Sequence, residues 1–107
     1  MFVAKHRFAR ISPRKVRLVA NLVRGKTAEE ALTILRFQPQ RGARMLEKVI
    51  RSAMANAEEQ DVRNAGRLRL VDVRVDQGPS LKRLRPLARG AAAIYLRRMS
   101  HITVVLE

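Results

Sequence analysis

The sequence predicts an α+β fold: a three-stranded antiparallel sheet, three helices packed on one face, and a long protruding β-hairpin. Three observations carry that expectation. Apolar residues recur at helical spacing in three stretches between Pro13 and Ala57. They alternate at period two near the N-terminus, from Leu68 to Asp76 and from His101 to Leu106. Between the last two strands lies a long segment with six basic side chains and no acid. Helices and strands that each have one apolar face stack in layers, so helices on one face of a sheet is the natural arrangement.

Met1 to Ile11 reads as a strand with Phe2, Ala4 and Phe8 on one face and Lys5 and Arg7 on the other. Ser12-Pro13 reads as the N-cap and first residue of a helix, because proline at that position loses no hydrogen bond and already has a helical φ. Val16, Val19, Ala20 and Val23 form its apolar stripe, with Leu18 and Leu22 beside it, and Gly25 is placed to end it. Thr27, answered by Glu30 three residues later, is a capping box that starts the second helix. Ala31, Leu32, Ile34 and Leu35 make that helix amphipathic, and Gln38-Pro39 ends it.

The third helix has the clearest period: Leu46, Val49, Ile50, Ala53, Met54 and Ala57 fall on one face. Arg44, Glu47, Lys48 and Arg51 are assigned to the outer face, with Glu47 and Arg51 at the favourable i, i+4 spacing. Asp61 to Gly66 is a polar turn. After it, Leu68 and Leu70 alternate with arginines, and then the phase slips so that Val71, Val73 and Val75 oppose Asp72, Arg74 and Asp76. A slip of one residue predicts a bulge near Leu70-Val71. The last strand sets Ile102, Val104 and Leu106 against His101, Thr103 and Val105.

Residues 1–107 read as one domain without repeats or linker, carrying an arm at about 77–100. As a hairpin, each side of about ten residues would reach roughly 33 Å. Pro79 and Pro86 argue against regular pairing throughout, Gly78 and Gly90 supply bends or close approach, and Ala91-Ala92-Ala93 could instead begin a short helix. Such an arm has too few apolar anchors and too much like charge to fold on itself, which calls for a polyanion beside it.

The totals agree. Lys and Arg number 23 against 9 Asp and Glu, a net charge of +14. That balance points first to nucleic acid and second to an anionic membrane surface. The charge is concentrated: residues 1–28 hold eight basic groups and no acid, whereas residues 29–76 hold nine basic and eight acidic groups. A surface built only for solubility mixes both signs, so two acid-free blocks favour a polyanion partner. With 4% aromatic residues the core must be aliphatic. The absence of cysteine excludes disulfides and thiolate metal sites and fits a reducing compartment. No apolar run approaches a membrane span, and the serine-poor, well-signalled helix near the N-terminus argues against a transit peptide.

The arm also carries a resemblance. Gly78-Pro79-Ser80-Leu81-Lys82-Arg83, Pro86, Ala88-Arg89-Gly90 and Arg97-Arg98-Met99-Ser100-His101-Ile102-Thr103-Val104 resemble the C-terminal signature of the large-ribosomal-subunit protein L-twenty-two family. Ala4-Lys5-His6, Ser12-Pro13-Arg14-Lys15-Val16-Arg17-Leu18-Val19, Leu22, Arg24-Gly25-Lys26 and Ser52-Ala53-Met54-Ala55-Asn56-Ala57 are similar to its bacterial members, in order and across essentially the whole chain. The resemblance implies a cytoplasmic structural constituent of the large subunit, with its body on ribosomal RNA near the exit of the nascent-peptide tunnel. It implies a hairpin that threads inward and lines the tunnel, with Lys82, Arg83, Leu84, Arg85, Pro86, Leu87, Ala88 and Arg89 at the tip. The implied partners are large-subunit ribosomal RNA, neighbouring large-subunit ribosomal proteins and the nascent polypeptide, with no membrane, cofactor or small-molecule substrate. Leu87 and Ala91 depart from the family, which usually has a basic residue at the first position and a basic or polar one at the second. Arg85 adds a positive charge where an apolar residue is common.

The residues assigned to RNA are Lys5, His6, Arg7, Arg10, Arg14, Lys15, Arg17 and Lys26 in the N-terminal block. In the C-terminal block they are Lys82, Arg83, Arg85, Arg89, Arg97, Arg98 and His101. Cations on phosphates release counterions, and arginine adds bidentate geometry and stacking. The free N–H groups at the start of the first helix would help Arg14, Lys15 and Arg17 hold a phosphate, against the plain alternative of a solvated helix face. Catalysis has little support: His6 and His101 have no acid or nucleophile beside them, Asp72 and Asp76 sit among arginines, and no Walker motif or metal constellation is present. Met45, Met54 and Met99 read as packing residues. The competing function is a DNA-binding module that uses the helix pair 13–36 as a helix-turn-helix. A membrane-active cationic helix is disfavoured because the third helix is balanced in charge.

Overall fold

A computed structural model describes all 107 residues. Its elements are β1 (Phe2–Ala9), α1 (Pro13–Val23), α2 (Ala28–Arg36), α3 (Arg41–Glu59), β2 (Leu70–Pro86) and β3 (Ala92–Leu106), with short 3-10 turns at Ala65–Arg67 and Ala88–Gly90. The strands form one antiparallel sheet in the order β1-β3-β2. α3 lies against β1 and β3, while α1 lies along β2. The expected α+β architecture is therefore observed.

A cluster of 21 buried residues, all aliphatic, fills the space between helices and sheet. Val16, Val19, Ala20 and Val23 of α1, Ala28, Ala31 and Leu35 of α2, and Leu46, Ile50 and Ala53 of α3 are fully buried. Ile102, Val104 and Leu106 meet them from β3. Met45 and Met54 pack at the margin of this cluster, but Met99 does not join it and lines a surface cleft instead. Gly25 ends α1 with φ +78°, a conformation that glycine adopts without steric cost. Thr27 Oγ1 accepts from Glu30 N at 3.3 Å, the N-cap half of the expected capping box. Ser12 occupies the N-cap position of α1, although its hydroxyl makes no cap bond.

Three local features depart from the sequence pattern. Phe8 is not on the core face: it has φ +58° and is half exposed, at a bulge between His6 and Ala9. The bulge moves the inward position on by one residue, so Ala9 is buried in its place. Glu47 is not on the outer face of α3 but is 7% exposed. Its carboxylate lies 2.8 Å from Arg44 Nη1 and 3.8 Å from Arg51 Nη2, and this pairing offsets the desolvation of the buried charge. The prolines do not interrupt the arm, which pairs continuously from Ser80↔Arg98 to Pro86↔Ala92. Pro79 falls within the bulge between Gln77 and Ser80 and Pro86 at the last pair, where a missing N–H costs least. The Ala91 to Ala93 segment leads into β3 rather than a helix.

The anticipated slip near Leu70-Val71 is present as a register shift between Leu70 and Asp72. It leaves Leu70, Val73 and Val75 buried and turns Val71 outward. β2 is an edge strand, and its open carbonyls are covered. Arg17 donates from Nε and Nη2 to Val75 O, at 3.1 and 2.8 Å. Arg24 does the same to Val73 O, at 3.2 and 2.9 Å. Leu70 exchanges backbone bonds with Gly25 and Lys26. An edge closed in this way offers no template to another strand.

Candidate nucleic-acid interface

Beyond Val75 and Ser100, whose hydroxyl donates to Ile11 O at 2.6 Å, the β2–β3 hairpin leaves the body. No residue from Asp76 to Met99 is buried. The molecule measures 63 × 25 × 16 Å, with a radius of gyration of 16.7 Å against about 13 Å for a compact chain of this length. At the far end Arg89 and Gly90 both take positive φ to turn the chain, and Leu87 N donates to Ala91 O at 2.7 Å.

The arm has two unlike faces, because residues paired across an antiparallel ladder share a side. One side carries Lys82 opposite Leu96 and Leu84 opposite Ile94. Leu84 is 71% exposed and Ile94 65%, a stripe of apolar surface without cover. The other side carries Leu81 opposite Arg97, Arg83 opposite Tyr95 and Arg85 opposite Ala93. All six basic groups of the arm lie outside the ion pairs of the structure, which join Arg44 and Arg51 to Glu47 and Arg74 to Asp72.

At its root the arm forms an open cleft of about 830 Å³ with the starts of α1 and α3. Arg10, Lys15, Arg41, Arg83, Arg97 and Arg98 line it, with Ser12, Gln40 and Gly42 between them and no acid. Neither α1 nor α3 has an acidic residue in its first turn, so the free N–H groups there add to the positive field. The arrangement suits several phosphates of one backbone. Five of these cations were expected from the sequence; Arg41 was not. Its signal was present in the acid-free run from Leu32 to Leu46, which places Arg36, Arg41 and Arg44 around the start of the longest helix.

The remaining residues assigned to RNA are distributed differently. Lys5, Arg7 and His101 meet on the outer face of the sheet with Asp76 and Thr103. Arg14 and Lys26 are exposed near the two ends of α1. Lys82, Arg85 and Arg89 stand along the arm and at its tip, exposed. His6 pairs with Ile102 and is half-buried. Arg17 is occupied by Val75 O. His101 accepts the Phe8 N–H at Nδ1, 3.0 Å away, and so ties strands together. No three His, Cys, Asp or Glu side chains converge as metal ligands would.

Residues 4–107 match the model of a family described as ribosomal protein L22p/L17e. The large ribosomal subunit protein uL22 of Rhodopirellula baltica is 58% identical, over 98% of this chain and 92% of its own. The proteins of the same name from Caldicellulosiruptor saccharolyticus and Desulfosudis oleivorans are each 52% identical, over 94% and 96% of this chain and 83% and 90% of theirs. An arm with no core of its own, a cationic cleft at its root and this nearly full-length similarity agree: the chain belongs to the ribosomal protein L22p/L17e family.

Proposed function

We propose that the protein is a structural, non-catalytic constituent of the large ribosomal subunit in the cytoplasm. It binds large-subunit ribosomal RNA, holds separate RNA segments together during assembly, and lines the nascent-peptide exit tunnel with its arm while the body sits near the tunnel exit. The observation that carries this reading is the arm: 24 residues, Asp76 to Met99, that bury nothing and present six unpaired cations. Chain entropy and like-charge repulsion both oppose such a projection unless a polyanion receives it.

The proposed RNA contacts are Arg10, Lys15, Arg41, Arg83, Arg97 and Arg98 in the cleft, Lys5 and Arg7 on the outer sheet face, Arg14 and Lys26 beside α1, and Lys82, Arg85 and Arg89 along the arm. Arg17 and His101 also act through the fold: Arg17 holds Val75 O with Nε and Nη2, and His101 holds the Phe8 N–H at Nδ1. The apolar stripe of Leu84, Ile94 and Leu96 suits the side of the arm turned to the nascent polypeptide. Neighbouring large-subunit proteins are the remaining partners, consistent with the names of the relatives.

The test is co-sedimentation of the tagged chain from a cell lysate treated with RNase or with DNase. The proposal expects association with large-subunit particles that RNase abolishes. Association that survives RNase and is lost with DNase would instead support a DNA-binding module built on α1 and α2.

A further inference from the structure

Tyr95 is the only tyrosine of the chain, there is no tryptophan, and it stands among three arginines. Arg83 is directly opposite it across the hairpin. The guanidinium carbons of Arg85 and Arg97 each lie 5.6 Å from the ring centroid. That is the outer end of the cation–π range, wider than a closed stack, and Tyr95 stays 37% exposed. None of the three arginines has a carboxylate partner; Arg83 donates only to the neighbouring Lys82 carbonyl, at 3.2 Å. Ala93, the next residue on the same face, is too small to cover the ring.

Three like charges crowded around one aromatic ring repel each other, and the ring relieves only part of that. A ligand that satisfies the whole cluster has a flat π face for Tyr95 and anions on either side for the arginines. An unpaired nucleotide has both, whereas a duplex keeps its bases stacked and hidden from such a ring. We propose that Tyr95, with Arg83, Arg85 and Arg97, forms a docking site for a single unstacked RNA base and its flanking phosphates. The site rests on the RNA-binding reading and adds to it a base-stacking contact on the arm, on the side away from Leu84 and Ile94.

Because Tyr95 is the sole strong intrinsic fluorophore, its emission reports on this site alone. The experiment titrates the full chain with a short oligoadenylate and with an abasic ribose-phosphate oligomer of equal length, following both Tyr95 emission and binding of the labelled oligomer. Oligoadenylate is expected to quench the emission. Tyr95→Leu should weaken oligoadenylate binding about tenfold, the lower part of the range for one base stacked on an aromatic ring. Tyr95→Phe should bind as the parent does, and the abasic oligomer should bind parent and Tyr95→Leu alike. Tyr95 lies outside the core, so these variants keep the fold. If oligoadenylate binds parent and Tyr95→Leu equally, the stacking site is refuted and the RNA-binding reading stands. If neither oligomer binds at low salt, both fail.

Discussion

The backbone N–H of Phe8 donates to Nδ1 of His101 across 3.0 Å, joining residues 93 apart in the chain. The two rings meet edge to face, with centroids 4.9 Å apart and planes at 86°. On β2, a Cβ placed on Gly78 would come within 3.2 Å of His101 Nε2 and 3.3 Å of Met99 O. One imidazole thus engages all three strands where the sheet becomes the arm. The positive φ of Phe8 turns its N–H toward the ring, and the missing side chain of Gly78 lets the ring sit there.

His101→Ala is therefore expected to destabilise the chain by about 1–2 kcal/mol, from one hydrogen bond to a solvent-exposed donor and the lost edge-to-face ring contact. Gly78→Ala should cost about 1–2 kcal/mol, because the ring must move aside. The double variant should cost less than the sum, since both changes disturb the same contact. Urea unfolding of the three variants measures this, and strict additivity would show that the contacts are independent.

Arg44 joins α3 to the end of α2 and to the loop between them. It donates from Nη2 to the carbonyls of Leu35, Arg36 and Gln38, at 2.6, 3.2 and 2.5 Å, and pairs through Nη1 with Glu47. It closes the C-terminal end of α2 and neutralises the buried carboxylate of α3, whose Oε1 has no aligned hydrogen bond of its own. Arg44→Met should cost about 2–3 kcal/mol, below the range for a fully buried pair because Arg44 is 46% exposed. Adding Glu47→Gln should recover part of the loss by removing the stranded charge. Chemical denaturation of the single and double variants checks the sign: a double variant less stable than Arg44→Met would contradict this account.

Arg17 and Arg24 guard the open edge of β2. Replacing either by Met removes a two-pronged donor from a carbonyl and should cost about 1–2 kcal/mol. Replacing both exposes the carbonyls of Val73 and Val75 together, so the double variant should also self-associate. Light scattering at rising concentration detects this, and a monodisperse double variant would show that the edge is protected by other means.

Much of the fold was legible because its determinants are local. The helical stripes, the Thr27 cap, the Gly25 stop and the bulge at Val71 each follow from neighbours within a few residues. Phe8 was misread because period two continues through it in sequence, and only its bond to His101, from the far end of the chain, reveals the bulge. Glu47 was misread because the pattern marks a charge as exposed, whereas its burial depends on Arg44 reaching over from the same helix. The candidate site divided likewise. Charge blocks identified its cations, but not that Arg17 is held by β2, nor that Arg41 faces the same cleft as Arg97 across 56 positions of sequence. The first depends on α1 lying along β2, the second on where the start of α3 sits beside the hairpin root.

The central claim is that the arm's cations meet RNA phosphates and the body folds without them. The most direct measurement is the salt dependence of binding to a single-stranded ribosomal RNA fragment, compared between the parent and a chain with residues 80–98 replaced by an Asn-Gly turn. Six cations leave with that segment, and each phosphate contact contributes roughly −0.7 to the slope of log affinity against log salt. The account predicts a folded shortened chain whose slope is shallower by about 4. An unchanged slope would contradict it.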